Sequence, residues 1–191
     1  MTHPEPTHEI AINTTRNWLE RAVIGLNLCP FAKSVHVKKQ IRYVVSDARN
    51  SDKLLDDLER ECQILMKEKP EVVDMTLLIH PYTLTTFPAF ADFLDLAEVS
   101  LKINGLTGIL QIASFHPEYR FADAADDDIT NYTNRSPYPT LHLIREASLA
   151  RAVENFPDPA SIFEKNKETL RKLSTEGWQA LGVDAPDHDS A

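Results

Sequence analysis

The chain has 191 residues, of which 42% are hydrophobic and 26% charged, with a formal net charge of -9 and a pI near 5.2. This is the profile of an ordinary globular protein of one domain, and its negative charge argues against non-specific binding to nucleic acid or to an anionic membrane. It leaves room for a small anionic molecule held in a local basic pocket, while no apolar run reaches the roughly 20 residues that span a bilayer.

The opening Met-Thr-His-Pro-Glu-Pro lacks the basic and apolar regions of a signal peptide, so a cytoplasmic location is expected. A globular domain is expected over residues 8–182, with flexible tails at 1–7 and 183–191. Ile12, Leu19, Ala22, Val23 and Leu26 recur at helical spacing and predict an amphipathic helix over residues 9–26, which Pro30 prevents from continuing past Cys29. Residues 35–38 are open to reading as an edge strand. The β-branched and aromatic run 41–45 predicts a strand, and 51–67 a helix capped by Ser51 or Asp52, with Leu54, Leu55, Leu58, Cys62 and Leu65 on its apolar face.

Residues 75–79 predict a buried strand that ends in His80-Pro81, and 88–103 a helix closing near Gly105. A third strand, 108–115, also ends in a His-Pro pair, His116-Pro117. Two further helices are expected, at 140–155 and at 158–181, although Thr140-Leu-His-Leu-Ile144 alternates well enough to be a strand. Strands alternating with helices of this length predict an α/β fold with a small, three- to four-stranded, mainly parallel sheet; the alternative is an α+β fold with a mixed or antiparallel sheet.

If the strands are parallel, their carboxyl ends share one edge, where open α/β sheets bind ligands. Those ends carry Ser46-Asp47, His80 and His116, which suits His116 and His80 to acid–base chemistry; the competing reading is that proline stops each strand and the histidine bonds nearby backbone. In Asn131-Tyr-Thr-Asn-Arg-Ser-Pro-Tyr-Pro139, Ser136 and Pro137 suit the start of a helix, which would place Asn134 and Arg135 at its N-terminus as anion binders together with Asn131 and Ser136. Against that, Arg135 has Asp123, Asp126, Asp127 and Asp128 nearby as partners that would pin a loop. The acidic run lacks the spacing of a calcium loop.

Only two cysteines are present, so no disulfide scaffold is expected. Cys29, just past the first helix, is a candidate nucleophile or, with His80, His116 and His142, a metal ligand, although no pair has metal-site spacing. Cys62 reads as structural. Dinucleotide, P-loop, nucleophile-elbow and zinc-protease motifs are all absent, and five glycines offer little for closing backbone on a pyrophosphate. No cofactor is indicated. The competing function is a non-catalytic binding domain that uses Tyr119, Phe121, Tyr132 and Tyr138 as exposed anchors.

The stretches Arg16-Asn-Trp-Leu-Glu-Arg-Ala-Val-Ile-Gly-Leu-Asn-Leu-Cys-Pro-Phe-Ala32, Ile41-Arg-Tyr-Val-Val-Ser-Asp47, Leu110-Gln-Ile-Ala-Ser-Phe-His-Pro117 and Thr130-Asn-Tyr-Thr-Asn-Arg-Ser-Pro-Tyr-Pro-Thr-Leu-His-Leu143 resemble the bacterial DUF1415 family, whose function is unknown. The resemblance runs from Asn13 to Trp178. It implies no activity, cofactor or site residue, so the expectations for a small enzyme of anionic metabolites acting through residues 114–146 rest on the chemistry above.

Overall fold

The computed structural model describes residues 5–154, 158 and 161–185. Its centre is a four-stranded sheet in the order β1-β2-β4-β3, built from β1 (Ile41–Val45), β2 (Met75–Ile79), β3 (Leu110–Phe115) and β4 (Thr140–Arg145). β1 and β2 pair in parallel across α3 (Ser51–Lys67). After β2 the chain passes through α4 (Phe87–Ile103), skips one position to lay down β3, and returns as β4 in the gap, antiparallel to both neighbours. β1, β2 and β3 therefore all point the same way, and only the β1–β2 pair is hydrogen-bonded in parallel.

The strand period of two divides the core. Val44, Leu78, Leu110, Ile112, Leu141 and Leu143 face α3 and α4, where Leu54, Leu58, Leu65, Phe90, Phe93, Ala97 and Leu101 cover them. The alternate residues Ile41, Tyr43 and Phe115 meet α1 (His8–Trp18), its π-helical continuation (Leu19–Ile24) and α6 (Ser161–Ala180), through Trp18, Ala22, Leu170 and Trp178. The result is an α/β/α arrangement with the sheet in the middle. No helix among the described residues is long and apolar enough to cross a membrane.

The α/β expectation holds, with a sheet that is only partly parallel. Three local expectations change. Residues 140–155 are not one helix, because Thr140–Arg145 is the inner strand β4 and α5 (Glu146–Glu154) begins only after it. Pairing on both edges outweighs the helical preference of the residues that follow. Residues 35–38 are not an edge strand but the end of a short helix, α2 (Ala32–Val37). The helix expected over 9–26 is α-helical only to Trp18 and π-helical from there to Ile24.

The described residues nearest the two ends, within the tails expected at 1–7 and 183–191, make specific contacts. Glu5 pairs with Arg49, the Pro6 carbonyl accepts the Tyr82 hydroxyl at 2.7 Å, and Thr7 caps α1. At the other end Val183 is buried, and Trp178 Nε1 donates to Asp184 at 3.2 Å. The remainder of both tails, residue 155 of the first expected C-terminal helix and residues 159–160 of the second lie outside the described residues.

Candidate functional site

The carboxyl ends of β2 and β3 bring His80 and His116 onto the face covered by α4, where both rings pack on Phe90, with centroids 5.7 and 5.1 Å away. Each histidine holds a carbonyl of the β2–α4 loop. His80 Nδ1 lies 3.2 Å from the Thr83 carbonyl, which can only accept, so Nδ1 carries the proton and Nε2 is a bare lone pair. That Nε2 is buried without a partner among the described residues, and burial pushes the imidazole down to about 4. His116 has the other tautomer: its Nδ1 accepts the Glu118 amide at 3.0 Å and its Nε2–H donates to the Leu84 carbonyl at 3.1 Å. Burial lowers its pKa as well. Leu84, between them in the chain, has φ +54°. Ser46, at the end of β1, donates to Asp57 at 2.5 Å, and Asp47 meets His8 at 2.7 Å.

The long β3–β4 connection closes over this edge instead of opening it. Its only regular piece is a 3-10 turn, Ile129–Thr133, capped by Asp128, and no helix follows Ser136. The anion-site expectation at Asn134, Arg135 and Ser136 thus has no helix dipole behind it. Arg135 does pin a loop, but through carbonyls, not through a carboxylate: Nε donates to Tyr119 at 3.2 Å and Nη2 to Asp126 at 2.8 Å, with the guanidinium 4.4 Å over the Tyr132 ring. Asn131 is fully buried, accepting from the Phe121 amide and donating to the Ala125 carbonyl. Asn134 donates to the Ser114 carbonyl at 3.1 Å, and Ser136 to that of Tyr138 at 2.6 Å. Of the aromatic residues expected as exposed anchors, Tyr138 is buried and Tyr119, Phe121 and Tyr132 are half-buried. Tyr132 packs edge-on against Trp178, and Tyr119 and Phe121 pack on each other.

Cys29 joins the Trp18–Trp178 core, and burial raises its thiol pKa, with the Phe31 and Ala32 amides only partly offsetting this. Such a thiol is a poor nucleophile at neutral pH. His142 lies on the opposite face of the sheet from His80 and His116, 3.1 Å from the Met75 sulfur, so the sheet separates the histidines of the expected metal set. Among the described residues no group of three or more His, Cys, Asp or Glu is placed to hold a metal ion.

A different corner gathers the features that ordinary folding does not require. Arg16 on α1, His36, Val37 and Lys39 at the end of α2, and Ile41 and Tyr43 on β1 line a pocket of about 470 Å³ at the open edge of the sheet. The Arg16 guanidinium stands 5.0 Å over the Tyr43 ring, and the Tyr43 hydroxyl is buried without a hydrogen-bond partner among the described residues. Burial raises that phenol to about 12, so it stays a protonated donor; Arg16 pulls the other way from a position short of hydrogen-bond geometry. α2 ends in a double turn in which the Gln40 amide reaches back to the Val35 carbonyl at 3.0 Å, and Lys39 takes the left-handed position, φ +58°. That position is normally glycine, because a Cβ there costs about 1–2 kcal/mol. The π-helix next to the pocket is itself a rare conformation concentrated at functional sites, and it carries Glu20 to 3.4 Å from His36 Nε2. A hollow of equal volume between α2 and α5 mixes Glu71 and Asp74 with Lys38 and Arg151, and has no such preponderance of donors.

Sequence reasoning passed over Arg16, His36, Lys39 and Tyr43, since each is unremarkable in its own segment. The available signal was the basic run Lys33-Ser-Val-His-Val-Lys-Lys39 in a chain of net charge -9.

Fold and site together define an α/β/α domain with a basic, donor-rich pocket beside its edge strand. Residues 10–180 match the family described as a protein of unknown function, DUF1415, and the chain belongs to that family. No curated protein and no solved structure matches the chain.

Proposed function

We propose that the protein binds a small organic anion, a phosphorylated or carboxylated metabolite, in the pocket formed by Arg16, His36, Lys39 and Tyr43. The observation that carries this is Lys39, a lysine held at a left-handed position where glycine would be more stable. Arginine, lysine and a protonated phenol present donors that complement phosphate or carboxylate oxygens, and they outnumber the one carboxylate beside them, Glu20, which pairs with His36. Val37, 69% exposed, and Ile41 give the same pocket an apolar wall for the body of the ligand.

The test is an NMR titration with inorganic phosphate and with phenyl phosphate. Saturable shifts are expected at Arg16, His36, Lys39 and Tyr43, with tighter binding of the phenyl ester. Lys39→Gly should weaken phenyl phosphate binding and at the same time raise stability by about 1 kcal/mol, or roughly 2–4 °C in Tm for a chain of this size. Undiminished binding by Lys39→Gly would refute the reading.

A second reading follows from the bare Nε2 of His80, which suits it to act as a general base at the carboxyl edge once the loop strained at Leu84 opens. His80 should then acquire a carbethoxy group from diethyl pyrocarbonate in native protein, more slowly than exposed His8. No labelling of His80 over hours would exclude the reading.

A further inference from the structure

α4 buries Phe90, Phe93, Ala97, Ser100 and Leu101 against the sheet, yet its outer surface is also apolar. Leu96, Val99 and Ile103 are 51, 52 and 79% exposed and follow one another at spacings of three and four, which is the spacing of a helix–helix seam. A helix apolar on both sides is expected where a second element covers it. In heptad terms these residues occupy the a, d and a positions. The positions on the e side include Phe93 and Ser100, which are closed off by the protein's own core. The positions on the g side are Asp95 and Lys102, both exposed.

This charge pattern discriminates between partners. In an antiparallel helix pair the g side of one helix faces the g side of the other, so two copies of α4 place Asp95 of each opposite Lys102 of the other, forming two ion pairs about one two-fold axis. A parallel pair would face each g side with a buried e side and leave both charges unmatched. The flanking charges are thus complementary to themselves in one orientation.

We infer that this face of α4 is a self-association surface, on which a second copy of the chain packs with its α4 antiparallel. Three apolar side chains with two flanking pairs fall short of the roughly 800 Å² per partner that a stable interface buries, so the dimer is weak and forms at high concentration.

Sedimentation velocity over a protein series from about 10 µM to about 1 mM is expected to show a reversible rise of the weight-average mass from 21.6 kDa toward twice that value. Val99→Lys should abolish the rise. Asp95→Lys and Lys102→Asp should each weaken association by roughly tenfold, because each sets like charges against one another twice. The double variant Asp95→Lys/Lys102→Asp should regain the wild-type constant, which a surface fitted to a different protein would give no reason to expect. All three sites are exposed, and circular dichroism of each variant checks the fold. A wild-type chain that stays monomeric to about 1 mM overturns the inference, as does a natively folded double variant that fails to recover. Neither result bears on anion binding at the pocket on β1.

Discussion

The protein should lose stability steeply in mild acid. His80 is fully buried, with a pKa near 4 against the ordinary 6.5, so the native state favours the neutral ring while the unfolded chain takes up a proton. A group whose folded pKa is depressed contributes stability that is complete above about pH 6.5 and is lost as pH falls toward 4. The interval of about 2.5 units at 1.36 kcal/mol per unit gives about 3 kcal/mol for His80 alone. His142, whose ring is enclosed although part of the residue reaches the surface, is also near 4, and His116 shifts in the same direction. Together these losses are comparable to the total stability of a domain, roughly 5–15 kcal/mol. Urea unfolding at intervals from pH 7.5 to 4.5 measures the slope. His80→Asn keeps a donor near the Thr83 carbonyl and removes the titration, so its slope between pH 6 and 4.5 should be shallower by up to one proton. An unchanged slope in that variant, or an NMR titration of His80 near 6.5, would refute the reasoning.

Gly25→Ala is expected to destabilise by about 1–3 kcal/mol in thermal unfolding, opposite in sign to the usual gain from alanine in a helix, because a Cβ there would lie 2.2 Å from the Arg21 carbonyl oxygen at the end of the π-helix. Arg145→Met should cost about 2–3 kcal/mol in urea unfolding, since the guanidinium donates to the Leu65, Glu68 and Val73 carbonyls and ties the end of α3 to β4. Asn131→Ala should cost about 2 kcal/mol by the same measure and speed proteolysis within 116–130, because it leaves the Phe121 amide and the Ala125 carbonyl without their partner.

Most of the scaffold was legible because it depends on local pattern. β1, β2 and α3 fall on the predicted residues, as the alternation of Ile41-Arg-Tyr-Val-Val45 and the helical spacing of Leu54, Leu58, Cys62 and Leu65 are properties of single segments. β4 was ambiguous because Thr140 to Ile144 runs directly into Arg-Glu-Ala-Ser-Leu-Ala, and only the free edges of β2 and β3 decide between strand and helix. The convergence of His80 and His116 was readable from the strand ends. Their tautomers were not, since these depend on which carbonyls the loop at 83–84 presents. The basic pocket was the least accessible, because Arg16, Lys39 and Tyr43 come from a helix, a helix end and a strand whose meeting is a property of the whole fold.

The two ends of β1 and β2 show how the same sheet treats its polar groups differently. At the carboxyl edge, Asn131, Asn134, Arg135 and His116 are satisfied by backbone groups, and the bonds they make hold the β3–β4 connection in place. Two buried groups at that edge lack a partner among the described residues, the His80 Nε2 lone pair and the Tyr138 hydroxyl. At the corner of α1, α2 and β1 the balance reverses: donors outnumber acceptors, the Tyr43 hydroxyl has no partner among the described residues, and Lys39 occupies a backbone position that disfavours it. Backbone strain and unsatisfied donors each lower stability, so their coincidence at one accessible hollow has a simple physical resolution, which is that an acceptor-rich molecule from outside the chain completes the site.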